Sequence, residues 1–210
     1  HGVHYNIKIS YLMGMRLDRV TNFNSPFTLK IVTSIINSLE ADSIEVLDPY
    51  SNETINLLHN YETYNIVHHI IKDICDYESY ILPDQDAVNR YKSIYFWEEN
   101  VIIGKNYYDN TGKLLKYDLE NKDILASSAT ALVTDNICDK GDNFVEIADI
   151  VKEVNPDIKL DIFVTHTVNL EGICKLSDSY NKVFITNSYA DWEHLPDNIE
   201  VINITNLWQE

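Results

Sequence analysis

Short apolar runs alternate with amphipathic stretches along almost the whole chain, and this alternation limits the fold more than any other feature. Ile7–Leu12, Ile44–Leu47, Tyr80–Leu82, Val101–Ile103, Thr130–Thr134, Leu160–Val164, Lys182–Ile185 and Ile199–Ile202 read as strands. Between them Pro26–Leu39, Thr63–Tyr77, Asp86–Phe96, Asn143–Val154 and Leu170–Leu176 read as helices. In the first helix Ser25 is the expected N-cap and Pro26 sits in the first turn. Phe27, Ile31, Ile35, Ile36 and Leu39 are expected to form its buried face. Strands separated by single helices pair in parallel, so the expected class is α/β. Two such units are expected, assigned to residues 1–70 and 71–210, and no internal repeat stands out.

Ligands of parallel α/β sheets gather beyond the carboxyl ends of the strands. That rule directs attention to Asp48, Asp84, Lys105, the stretch from Asp135 to Asn143, His166 and Thr186-Asn187.

Charge narrows the partners. Sixteen basic residues against 33 acidic ones leave a formal net charge of −17. Nucleic acid is thereby excluded as a general partner, because binding it requires a cationic footprint. A polyanionic substrate would require a bound cation or a local cluster of donors. Cys75, Cys138 and Cys174 are far apart and lack metal-ligand spacing. They are expected to be reduced thiols of a cytoplasmic protein. No apolar run reaches 18 residues, so no membrane span is expected, and no signal peptide is visible. The sequence begins His1-Gly2 without Met, as a processed chain or a fragment would.

The most informative segment is Leu132-Val133-Thr134-Asp135-Asn136-Ile137-Cys138-Asp139-Lys140-Gly141-Asp142-Asn143-Phe144. A strand leads through acidic residues and a glycine turn into a helix. Backbone N–H groups at a helix start can cradle phosphate, and the preceding carboxylates can take ribose hydroxyls or magnesium-bound water. The same residues also suit an ordinary acidic βα loop capped by Asn143. His68 and His69 are adjacent and face apart on a helix, which argues against a shared metal site. His166 fits either a site or a structural hydrogen bond. Tyr91, Tyr95 and Phe96 read as core.

The segment resembles the ribose-phosphate loop of type I phosphoribosyl-binding proteins, and other segments resemble the ribose-phosphate diphosphokinase branch of that group. These are Met15-Arg16-Leu17-Asp18-Arg19 with the Pro26-led helix, Val46-Leu47-Asp48-Pro49-Tyr50-Ser51, and Leu82-Pro83-Asp84 with Val88 and Arg90. Gly104-Lys105, Phe163-Val164-Thr165-His166 and Phe184-Ile185-Thr186-Asn187-Ser188 complete the series, in the family's order.

The resemblance implies parallel-sheet units like those of type I phosphoribosyltransferases, in two domains. It also implies transfer of the β,γ-diphosphate of ATP to the C1 hydroxyl of a ribosyl phosphate, with Mg²⁺, in a homo-oligomer (a dimer or higher). By the same resemblance, Lys105 would be the catalytic cation at the opening of a flexible loop. Asp139 would orient the C1 hydroxyl, and Arg16, Asp18 and Arg19 would bind ATP. Asp84, Gln85 and Asp86 would form the diphosphate loop, and Asp48, Asp84 and Asp135 would hold the metal. Asp135 and Asn136 would bind the ribose 2- and 3-hydroxyls, while Lys140, Gly141, Asp142 and Asn143 would seat the 5-phosphate.

Departures from the family pattern sharpen the expectation. Tyr50 replaces a metal-site histidine, and Asp86 and Ala87 replace glycines. Tyr107 replaces an arginine, Asn136 an acid, and Lys140-Gly141-Asp142-Asn143 a Thr/Gly-rich turn. The match also lacks most of the family's first subdomain, so the N-terminal unit is expected to be incomplete. An Asp in a phosphate cradle repels a dianion, which favours a phosphodiester-bearing acceptor such as ADP-ribose over ribose 5-phosphate. The product would feed nucleotide or NAD synthesis. A type I phosphoribosyltransferase and a non-catalytic regulatory homologue are the alternatives.

Overall fold

The computed structural model describes residues 4–20, 26–62, 66–74, 76–95, 100–109 and 114–207. The chain divides into two compact units, one of residues 1–70 with 204–210 and one of residues 71–203. In the first unit, β1 (Asn6–Ile9), β2 (Ser43–Val46) and β3 (Tyr61–Glu62) pair in parallel in that spatial order. Helix α1 (Thr28–Asn37) and the short α2 (Asn52–Leu57) make the crossovers. Neither α2 nor β3 was anticipated from periodicity. Helix α3 (Ile66–Ile74) follows, within the expected span from Thr63 to Tyr77, whose residues 63–65 and 75 lie outside the described residues.

Helix α1 forms where its apolar spacing places it, but the buried face differs from expectation. Leu29 and Thr33 are buried, whereas Ile31, Ile35 and Leu39 are 61%, 62% and 51% exposed. Apolar residues surround this helix, so spacing alone fixed the helix and not its phase. The expected cap Ser25 lies outside the described residues. The residue at the cap position is Phe27, which makes no side-chain cap hydrogen bond.

The second unit carries seven strands. They are β4 (Ser79–Leu82), β5 (Val101–Tyr108), β6 (Leu114–Glu120), β7 (Thr130–Cys138), β8 (Lys159–Thr167), β9 (Val183–Thr186) and β10 (Ile199–Ile202). Their spatial order is β10-β9-β8-β7-β4-β5-β6, parallel throughout except for the antiparallel β5–β6 hairpin. Helices α4 (Gln85–Tyr95), α5 (Asp142–Val154) and α6 (Leu170–Ser179) form the crossovers, a 3₁₀ segment spans Lys122–Ser127, and α7 (Ile204–Leu207) falls to the first unit.

The strands are near-continuous apolar runs because both faces of a parallel sheet are covered. Ile81, Ala131, Val133, Ile162, Val164, Val183 and Ile185 pack with Phe144, Ile147, Val151, Ile173 and Leu176 of α5 and α6. After β4 the chain moves first toward β5 and later returns to lay β7 on the other side of β4. The strand order therefore reverses between β4 and β7, which is where open α/β sheets bind ligands.

Candidate functional site

Three adjacent strands meet at that reversal. Ile81 pairs with Ile102 of β5 and with Val133 of β7, so Pro83, Gly104 and Asp135 lie two residues further along adjacent strands. The carboxyl edge thus places the Asp84 turn, the Gly104-Lys105 dipeptide and Asp135 side by side. The loop Asp139–Gly141 and the start of α5 extend the same edge beyond β7. Among the expected site residues, these are the ones that the second unit brings to one rim. Arg16, Asp18, Arg19 and Asp48 belong to the first unit.

Asp84 caps α4. One carboxylate oxygen accepts the Ala87 N–H at 2.7 Å, the contact that favours Asp at such positions. Gln85 and Asp86 form the first exposed turn of that helix. One turn further on, Arg90 donates through Nη1 to Asp135 Oδ1 at 3.2 Å. Asp135 also accepts the Asn136 N–H at 2.8 Å. Both Asp135 and Asn136 lie inside β7, which runs on to Cys138; the strand was expected to end at Thr134. The extension is set by pairing with β8, whose Thr167 partners Cys138. Asn136 is buried.

Lys105 was expected to open a flexible loop, and its position differs. It lies within β5, opposite Asp118 of β6, in a hairpin whose register shifts between Tyr107 and Tyr108 and whose residues 110–113 are outside the described residues. Its ammonium is exposed and bonds Glu120 Oε1 at 2.7 Å, which pushes the lysine pKa upward and keeps it charged. Lys105 and Lys116 both lie over the Tyr107 ring, at 5.7 and 4.9 Å from its centroid.

The turn before α5 is built on a glycine. Gly141 has φ +79°, the left-handed region that favours glycine, and occupies the position preceding α5, where Asn143 was the alternative cap. Asp142 opens the helix. Its carboxylate binds Lys175 of α6 at 2.6 Å, and Lys175 also binds Glu171 at 2.9 Å. Lys175, first, holds the Asp142 carboxyl below its usual range. Two acids thus share Lys175, and the field of Lys140 also acts on Asp142.

His166 is fully buried. Its Nδ1 lies 2.7 Å from Ser188 Oγ, and Ser188 in turn donates to the Thr165 carbonyl at 3.0 Å. Of its two anticipated roles, the structure shows the hydrogen-bonding one. His68 and His69 meet edge to face with ring centroids 6.0 Å apart. Tyr91 is buried, as expected of a core residue.

In the first unit, the buried Asp18 accepts two bonds from Arg19, from Nε and Nη2, each at 2.9 Å. Arg19 remains mostly exposed. Asp48 is buried at the end of β2 with φ +39°. No cluster of three or more His, Cys, Asp or Glu side chains with metal-binding geometry occurs among the described residues. A Mg²⁺ ion held largely by nucleotide phosphates requires only one or two carboxylates, and Asp84 meets that demand better than Asp135, which Arg90 engages. No helix among the described residues is long and apolar enough to cross a membrane.

No protein-family model matches the chain. A ribose-phosphate pyrophosphokinase of Pyrococcus abyssi is 23% identical over 190 residues, covering 87% of this chain and 64% of that protein. The chain therefore spans less than two thirds of the curated relative that it matches. The crystal structure of phosphoribosylpyrophosphate synthetase from Mycobacterium smegmatis superposes with a TM-score of 0.78 at 15% identity, covering 98% of this chain and 69% of that one. The fold is thus an α/β fold with parallel sheets, of the phosphoribosylpyrophosphate synthetase kind. The chain is thus similar in sequence to a ribose-phosphate pyrophosphokinase and in fold to a phosphoribosylpyrophosphate synthetase.

Proposed function

We propose that the chain transfers the β,γ-diphosphate of ATP to the C1 hydroxyl of a ribosyl phosphate. The observation that carries this reading is the convergence of the Asp84 turn, Gly104-Lys105 and Asp135 on three adjacent strands at the reversal of strand order. In the reaction the C1 oxygen bonds to the β-phosphorus and the bond between that phosphorus and the α,β-bridging oxygen breaks. AMP leaves with the electron pair, and Asp139 orients the C1 hydroxyl and receives its proton. Lys105 stabilises charge on the transferring group, with Glu120 exchanged for phosphate oxygen. Gln85 and Asp86 flank the diphosphate at the α4 start. Mg²⁺ would neutralise charge on the diphosphate, and Asp84 would help to hold it.

The acceptor sits with its ribose near Asp135 and Asn136 and its 5′-phosphate along Lys140–Asn143. The Asp142 carboxylate in this turn, offset in part by Lys175 and Lys140, favours a singly charged phosphodiester such as that of ADP-ribose over a dianionic monoester. Its 1-diphosphate product would then feed NAD synthesis. A cytoplasmic location and a homo-oligomeric assembly belong to this reading. The regulatory alternative draws on one observation: Lys105 lies in a paired strand rather than in a loop. Incubating the protein with ATP, Mg²⁺ and either ribose 5-phosphate or ADP-ribose, then weighing the products, tests the reading. AMP with a diphosphorylated sugar supports it, and preference for ribose 5-phosphate discards the ADP-ribose part. No AMP from any acceptor discards the transfer reaction.

A further inference from the structure

Tyr117 of β6 carries no local sequence signal, yet it links the two halves of the proposed diphosphate site. It pairs with Asn106 across the hairpin, and its hydroxyl donates to the Pro83 carbonyl at 2.9 Å, one residue before Asp84. The bond crosses over Gly104. A β-carbon on Gly104 would lie 1.9 Å from the Tyr117 hydroxyl and 2.0 Å from the Pro83 oxygen. Glycine before Lys105 is thus required by the bond itself, because neither carbonyl nor hydroxyl has room to retreat while they remain bonded. Desolvation, and then the fields of Asp84, Glu146 and Asp135, push the Tyr117 pKa well above the usual tyrosine range. The hydroxyl stays protonated and remains a donor.

We propose that Tyr117 is a positioning residue for the diphosphate transfer: its hydroxyl fixes the peptide before Asp84 against the strand that carries Lys105. The proposal rests on the diphosphate-transfer reading given above. It assigns Tyr117 no contact with substrate. Its role is to hold two groups that must act together at a constant separation, a requirement to which transfer rates are steeply sensitive.

The test is Tyr117→Phe in the full chain, which keeps the ring and removes the bond. With wild-type protein active, the variant should lower kcat for AMP release about tenfold, with KM for the ribosyl acceptor unchanged and the urea midpoint close to wild type. Hydrogen exchange at the Ala87 amide, which reports the Asp84 turn, should quicken. Gly104→Ala should show the same kinetic signature, and the double variant should lose no more than the stronger single variant. An active wild type with unchanged kcat and unchanged exchange in Tyr117→Phe would overturn the inference alone. A wild type that releases no AMP would overturn the reading, and the inference with it.

Discussion

Arg90 of α4 and Asp135 of β7 form an ion pair at 3.2 Å with only 12% and 13% of their side chains exposed. The pair ties the helix that follows the Asp84 turn to the strand that leads into the glycine loop. Removing one member of a buried pair leaves the other charge uncompensated, which costs more than the intact pair contributes.

Arg90→Met is therefore expected to destabilise the second unit by about 3 kcal/mol. Arg90→Met with Asp135→Asn should recover a large part of that loss, because no charge is then stranded. Urea unfolding followed by tryptophan fluorescence measures both. Equal losses in the single and double variants would mean that the pair is not the source of the effect.

Lys105 separates catalysis from stability. Its partner Glu120 is exposed, so breaking the pair leaves folding nearly unchanged. Lys105→Ala should keep the unfolding midpoint while AMP release falls at least about a hundredfold. Glu120→Gln should retain activity, since it removes only the resting partner. Full turnover in Lys105→Ala, measured as AMP formed from ATP, would shift the assignment away from a catalytic lysine.

What the sequence made legible follows from which interactions are local. Runs such as Leu160–Val164 declare themselves as strands because both faces of a parallel sheet are buried. The second half of β5, Lys105–Tyr108, is exposed, and its strand character comes from the partner β6. No local signal marks it. Asp135 and Asn136 were placed after a strand because they are polar, but the ladder to β8 carries the strand past them. Lys175 and Tyr117 could not be found by spacing, since each acts on a residue more than thirty positions away. The glycine turn at Gly141 was readable because its conformation is a property of that residue.

The buried Asp18 gives the first unit an acid-sensitive contact. Arg19, through its hydrogen bonds first, holds the Asp18 carboxyl below the usual carboxylate range. A lowered folded-state pKa means that the unfolded chain takes up the proton first. The stabilisation is therefore complete above about pH 4 and is lost as pH falls through the lower folded value. Asp18→Asn should flatten that part of the profile, with the largest difference from wild type at neutral pH. Urea midpoints between pH 2 and pH 7 read the effect. Parallel profiles for the two proteins would remove Asp18 from the account.

Gly172 of α6 carries the closest constraint on the loop Asp139–Gly141. A β-carbon there would lie 1.9 Å from the Asp139 carbonyl oxygen and 3.0 Å from Cys138 Sγ, so the loop rests on bare helix backbone. From the opposite side, a β-carbon on Gly141 would meet the Gly172 oxygen at 3.2 Å. Two effects compete in Gly172→Ala. Alanine is the better helix former by about 1 kcal/mol, while overpacking costs about 1–3 kcal/mol. The clash should win, because the atom met is a carbonyl of a loop already held between β7 and α5. The variant is expected to unfold at lower urea and to bind the ribosyl acceptor more weakly, with affinity for ATP retained. Calorimetric titration of each ligand separates the two effects. A variant as stable as wild type, with unaltered acceptor affinity, would mean that Asp139–Gly141 does not lie against α6 in solution.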